Sequence, residues 1–263
     1  MPELPEVETV VRQLRRCVVG KTISRITVLD EKVIDPALVK VNKVKISEVK
    51  RRGKSIIFSL SNGKQILTHL RMTGHFHYSP NDKNYLKYLA GIFRFTDGSF
   101  LTHNSIRRFG GMNIFTKKQL ENKLNSLGPE PLEVTPTTFS NMLKQFPNAS
   151  IKSKLLDQQF MVGVGNIYAQ EAMYASGIHP EKKVNEVNDG QLKLLHREMK
   201  SILREAIKNN GTTVDNYTHI AGKGNFQNFL SVYGRDNCPK GHKTEKVKIS
   251  GRGTYYCPKC QPC

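Results

Sequence analysis

The opening residues Met1, Pro2 and Glu3 form the most reactive arrangement in this sequence. Removal of an initiator methionine ahead of a small residue exposes Pro2 as a secondary amine, and an amine near its pKa is a nucleophile. Attack of that amine on a sugar C1′ gives an iminium that has no N–H proton to lose. The positive charge persists and draws electrons from the sugar, which makes β-elimination of the 3′ phosphate feasible. Glu3, beside the amine, can pass protons to the ring oxygen or the leaving base, with Glu6 in support one helical turn away. Proline and glutamate also simply open helices, so the chemistry needs corroboration elsewhere. With Met1 in place, Pro2 is blocked.

A second cluster lies at the far end. Four of the five cysteines, Cys238, Cys257, Cys260 and Cys263, fall within the last 26 positions at short spacings. The opening residues carry Glu3, Glu6 and Glu8 where a secretory signal needs positive charge and then an apolar stretch, so the chain is expected in the cytoplasm. In that reducing compartment the cysteines read as metal ligands rather than disulfides. Cys17 reads as a helix residue.

The elements that position these groups follow from pattern. Val7, Val10, Val11, Leu14 and Val18 recur at helical spacing, which predicts an amphipathic helix up to Gly20 and leaves residues 1–4 as an exposed arm. Short β-rich runs follow between about 21 and 116: TISRITVL, SIIFSL, KQILTHL, GIFRFT, SFLTH and MNIF. Asn62-Gly63 and Asp97-Gly98 mark hairpins with positive φ angles, giving a β-sandwich or barrel-like layer. The proline-rich LGPEPLEVTP at 127–136 breaks the pattern, and Thr135 and Pro136 suit the start of a helix. Leu192, Leu195, Met199, Ile202, Leu203 and Ala206 predict a long helix that stops before Gly211. Short strands return around the cysteines from about 229, with SGRG at 250–253 as a hairpin tip. The expected class is multidomain α+β: an N-terminal helix with a β-sandwich domain at 1–127, a hinge at 128–136, a helical domain at 137–228 and a metal-binding hairpin at 229–263.

Lys plus Arg number 41 against 22 Asp plus Glu, a net charge of +19 that favours a polyanionic partner. The basic residues are spread along the chain and no apolar run approaches the ~20 residues that span a bilayer, so nucleic acid is favoured over membrane.

MPELPEVE, RRGKSIIF, KLLDQQFMVGVGNIYAQE, HLRMTGHF with IRRFGGMN, and YGRDNCPKGHKTEKVKISGRGTYYCPKCQPC together cover most of the chain, and together they resemble the formamidopyrimidine-DNA glycosylase family. The resemblance implies a base-excision-repair glycosylase and AP lyase, expected to be monomeric, that acts on oxidised purines in double-stranded DNA through a Pro2 imine and β,δ-elimination. It implies that Pro2 and Glu3 are catalytic, that Lys54 contacts phosphate and assists elimination, and that Arg252 grips phosphate and serves δ-elimination. Met72, Arg107 and Phe109 match residues inserted into the duplex, with Arg108 beside them; core packing is the competing assignment for Met72 and Phe109. The 154–171 block resembles a helix–two-turn–helix, in which Gly163 and Gly165 permit tight turns and Asn166 caps the next helix. Residues 212–227 match a loop that folds over the everted base.

The cysteine block resembles a zinc finger, but a cysteine expected near 241 is missing. Structural zinc takes four N or S ligands, so His242 or Cys263 completes the set with Cys238, Cys257 and Cys260, His242 being preferred; a weakened site is the third outcome. Ala90 and Ser105 stand where the family often has histidine and aspartate. Endonuclease VIII-type enzymes, which prefer oxidised pyrimidines, usually have glycine in place of Leu4. A noncatalytic DNA binder of this fold leaves Pro2, Glu3 and Lys54 without a role. An RNA-binding zinc ribbon leaves MPELPEVE and GVGN unexplained.

Overall fold

The valine stripe forms α1 (Leu4–Val18), which buries Val7, Val10, Val11, Leu14 and Val18. In this computed structural model the described residues are 1–80, 88–213 and 220–263. Part of the expected base-covering loop, 214–219, lies outside them.

Eight antiparallel strands follow α1: β1 (Thr22–Val28), β2 (Val44–Arg52), β3 (Ser55–Leu60), β4 (Lys64–His69), β5 (Gly74–Ser79), β6 (Leu89–Phe95), β7 (Phe100–Ser105) and β8 (Gly111–Thr116). Their order is β5-β7-β6-β1-β2-β3-β4-β8. β1 and β2 pair only at Thr22–Lys45 and Ile23–Val44, and there the sheet folds over. Phe58 of β3 then meets Phe76 of β5 edge-on at 5.8 Å, and Phe76 meets His103 of β7 at 5.0 Å, so the halves form a sandwich around one apolar core. The charged strand β2 and the histidine-rich β5 were not named among the β-rich runs. In VKISEVKRR the apolar residues alternate with charges that face outward.

Both expected hairpins form, but only their glycines take positive φ, Gly63 at +80 and Gly98 at +86. The connections are three and four residues long, so they fall in the longer-loop class rather than the two-residue turns.

After β8 come α2 (Lys117–Leu124), α3 (Pro136–Lys144), α4 (Ile151–Leu156), α5 (Asn166–Ala175), α6 (Asp189–Lys208), and the hairpin of β9 (Glu245–Ile249) and β10 (Arg252–Tyr256). Thr135 caps α3, its hydroxyl accepting from Thr138 N–H, and Pro136 sits at the first turn as expected. The chain divides into two compact units, 1–126 with 210–225, and 127–209 with 226–263. Residues 210–225, expected within the 137–228 domain from the resemblance of their loop, cluster instead with the sandwich unit. The metal-binding hairpin clusters with the helices rather than standing as a third unit.

His103 has no exposed surface, and burial followed by the nearby His75 pushes its imidazole down to about 3. His69 is pushed down to about 4, by burial first and then by Arg71 and Lys54. Both are neutral when folded and protonate near 6.5 when unfolded, so stability is full above that value and falls as pH drops through it. Urea unfolding should lose about 2 kcal/mol per fully depressed histidine between pH 7 and pH 5. His103→Phe should flatten that slope; an unchanged slope would remove His103 as its cause.

Candidate active site

The N-terminal residues are not a free arm. Pro2 is buried, Glu3 and Glu6 are 4% and 2% exposed, and only Met1 lies open. Glu6 explains the anchoring. Its Oε2 accepts the Glu3 N–H and its Oε1 accepts the Thr212 N–H, each at 2.7 Å. Gly211 makes the second bond geometrically accessible: its φ is +77, and a Cβ there would lie 2.8 Å from Glu6 Oε1. With both oxygens holding backbone donors, Glu6 braces Pro2 and Glu3 while Glu3 occupies the helix N-cap.

Lys54 follows the β2–β3 turn at Gly53, whose φ is +55, and is 8% exposed. Arg51 locks this turn to α1, donating to Glu8 Oε2 at 3.0 Å and to Gly53 O at 3.1 Å. The lysine and the N-terminal pair therefore share one rigid frame. His69, not singled out in the sequence, pairs with Ser55 across β3 and β4, beside Lys54. Its Nδ1 accepts the Arg71 N–H at 3.2 Å, which presents a fixed, neutral imidazole.

The loops after β4 and β7 expose Met72 by 40% and Phe109 by 65%, which excludes core packing for both. Arg107 N–H donates to Thr73 Oγ1 at 2.9 Å, and its guanidinium lies 3.4 Å from Met72 Sδ. Arg108 turns the other way: its Nη2 donates to Asp30 Oδ1 at 2.6 Å and its Nε to Asp30 Oδ2 at 2.5 Å, fixing the loop by a two-pronged ion pair. Ala90 is buried, and its carbonyl accepts from Leu29 and Asp30 N–H. Ser105 is also buried, and its hydroxyl has no hydrogen-bond partner among the described residues.

In the second unit, Gln158 holds the turns between α4 and α5, donating to the Leu156 and Val164 carbonyls and accepting the Gly163 N–H, each at 2.9 Å. Gly163 has φ +90, whereas Gly165 is extended and is itself the N-cap of α5. Asn166 is the first helical residue and caps nothing. Its Nδ2 donates instead to Gly253 O at 3.1 Å, and Gln170 Oε1 accepts the Tyr255 N–H at 2.5 Å. Lys152, fully buried on α4, donates to Thr254 Oγ1; burial and then Arg252 push its ammonium down to about 8. Three side chains thereby fix β10, whose first residue, Arg252, is exposed beyond the Ser250-Gly251 turn. Glu171 secures the strap before the cysteines by accepting the N–H groups of Ser231, Val232 and Tyr233. Lys152 and Glu171 were missed because their partners are far away in sequence.

Cys238, His242, Cys257 and Cys260 bring their donor atoms within 4.8 Å of one another. Cys238 Sγ to Cys260 Sγ is 3.9 Å and His242 Nδ1 to Cys260 Sγ is 3.4 Å, spacings that fit tetrahedral zinc with metal–ligand bonds of about 2.0–2.3 Å. Gly241, with φ +78, turns the chain so that the longer imidazole takes the place of the missing thiol. Cys263 lies outside this group, its Sγ 3.9 Å from His179 Nδ1.

A β-sandwich unit that buries Pro2 and Glu3 at the start of its first helix, and turn-linked helices that carry a hairpin with a converging cysteine–histidine cluster, define a helix–two-turn–helix architecture. The chain matches the formamidopyrimidine-DNA glycosylase N-terminal domain over residues 1–112, the H2TH domain of the same enzymes over 127–218, and the zinc finger found in FPG and IleRS over 241–262. It is 42% identical to the formamidopyrimidine-DNA glycosylase of Bacillus licheniformis and 39% identical to that of Exiguobacterium, with 99% of each chain covered in both cases. The structure is similar to the Lactococcus lactis Fpg bound to DNA containing an abasic site, with TM-score 0.92 and 32% identity over 99% of this chain and 100% of that one. The same protein bound to N7-benzyl-Fapy-dG DNA matches with TM-score 0.92 over the whole of both chains. The chain belongs to the formamidopyrimidine-DNA glycosylase family. Among the described residues, no helix is long and apolar enough to cross a membrane.

Proposed function

We propose that this chain is a base-excision DNA glycosylase and AP lyase that removes oxidised purines, 8-oxoguanine and formamidopyrimidines, from double-stranded DNA. The observation that carries this reading is the Glu6 brace, whose carboxylate accepts the Glu3 N–H and the Thr212 N–H and so fixes the residues after Met1 against the 210–225 segment. Loss of Met1 frees the Pro2 amine. With the damaged nucleotide everted, that amine attacks C1′, the glycosidic bond breaks, and Glu3 delivers the proton that the leaving base or ring oxygen needs. The C1′–N iminium acidifies C2′. Loss of that proton expels the 3′ phosphate, and a second elimination expels the 5′ phosphate, with Lys54 and Arg252 neutralising the phosphates. Water then hydrolyses the imine and frees the amine, leaving a one-nucleotide gap.

Met72, Arg107 and Phe109 are proposed to fill the duplex, with Arg108 holding their loop, and Asn166 to serve the phosphate grip through β10. Zinc, held by Cys238, His242, Cys257 and Cys260, supplies structure and no chemistry. The hinge at 128–136, a monomeric state and a cytoplasmic location complete the proposal. The test is strand cleavage of duplexes carrying 8-oxoguanine, a formamidopyrimidine or thymine glycol, with undamaged DNA and RNA as controls. Preferential cleavage at the purine lesions is expected. Preference for thymine glycol would favour the endonuclease VIII-type activity, and binding without cleavage the noncatalytic reading.

A further inference from the structure

Among the described residues, three connections of the first unit expose the hydrophobic side chains of Met72, Tyr88, Ile106 and Phe109. Hydrogen bonds tie the loops to one another and to the adjoining strand end. Arg107 N–H reaches Thr73 Oγ1 at 2.9 Å, and Ser105 N–H reaches the Tyr88 carbonyl at 3.0 Å. Among the described residues each connection also holds a non-glycine residue at positive φ: Arg71 at 53, Tyr88 at 61 and Arg108 at 55. Such backbone is unfavourable for side-chain-bearing residues and persists where the surroundings fix it, most often at sites that bind. Tyr88 is 61% exposed and Ile106 42%, although both are apolar enough to be buried elsewhere. The exposed Arg71 and Arg107 on the same loops supply attraction for phosphate.

We propose that Tyr88, whose carbonyl accepts the Ser105 N–H at the end of β7, is an additional base-stacking contact that packs on bases next to the everted nucleotide. The inference rests on the glycosylase reading above. Every base has a π-face, so stacking on a tyrosine adds affinity without reading which base lies opposite the lesion. Arg107 has hydrogen-bond donors that can read a base edge; Tyr88 contributes through its ring.

The experiment measures binding to duplexes that contain a tetrahydrofuran abasic analogue opposite each of the four bases, with 2-aminopurine next to the analogue as a stacking reporter. Tyr88→Ala should raise Kd about 5- to 100-fold, equally for all four opposite bases, the range expected for loss of one aromatic–base stack. Tyr88→Phe should restore both Kd and the 2-aminopurine signal, which a general folding defect would not allow. A Tyr88→Ala Kd within about twofold of the wild type, or a change confined to one opposite base, overturns the proposal while leaving the glycosylase reading intact. A wild-type chain that fails to bind any of these duplexes overturns the glycosylase reading, and this proposal with it.

Discussion

Borohydride added while the processed chain acts on an 8-oxoguanine:cytosine duplex is expected to fix a covalent protein–DNA adduct that maps by mass spectrometry to Pro2. Reduction converts the C1′–N iminium to a stable amine, so the adduct reports directly on the proposed intermediate. The form that retains Met1 should give no adduct and no cleavage above background, because its Pro2 nitrogen is an amide. Glu3→Gln keeps the N-cap position and shape but removes the acid. It should slow base excision by about 10²–10⁴-fold, the usual contribution of a positioned acid or base, while a preformed abasic site remains a better substrate than the intact lesion. Absence of any adduct from Met1-free protein on several oxidised lesions would instead identify a noncatalytic binder.

Zinc removal is the second large effect. A four-ligand structural site contributes roughly 10–16 kcal/mol, so each ligand carries on the order of 3 kcal/mol. His242→Ala should therefore weaken zinc affinity by at least about a hundredfold, read by competition with a chromogenic chelator. His242→Cys should retain tight binding, and Cys263→Ser should leave affinity unchanged, because Cys263 lies outside the converging group. Complete chelation should also abolish binding to damaged duplex DNA, since Val232, Cys238 and Cys257 pack as one small core that anchors the strap and hairpin behind Arg252. If Cys263→Ser rather than His242→Ala releases the metal, the ligand assignment is wrong.

The elements legible in the sequence were those whose signals are local. The valine stripe of α1, Thr135 and Pro136 at the start of α3, the apolar face of α6 and the turn at Ser250-Gly251 each depend on neighbours within a few residues, and each formed. β2, with alternating charges, was overlooked because the core packed on one face of the sheet, not its own composition, buries Val44, Ile46 and Val49. Asn166 was misread as a cap because its real partner is the Gly253 carbonyl, 87 residues later.

By itself the sequence determined which chemistry is available: a proline amine beside glutamates, a cysteine cluster with a histidine beside the gap, and a strongly cationic chain. Residue identity and short spacing suffice for that, since nucleophilicity and ligand type are properties of the groups themselves. Only the tertiary structure decided how those groups are held. It folded residues 210–225 back so that Thr212 meets Glu6, which turned a presumed free arm into a buried, braced N-terminal segment. It also selected His242 over Cys263 through the turn at Gly241. Both decisions depend on where backbone from distant parts of the chain arrives in space, and packing of the whole unit, rather than any local preference, fixes that position.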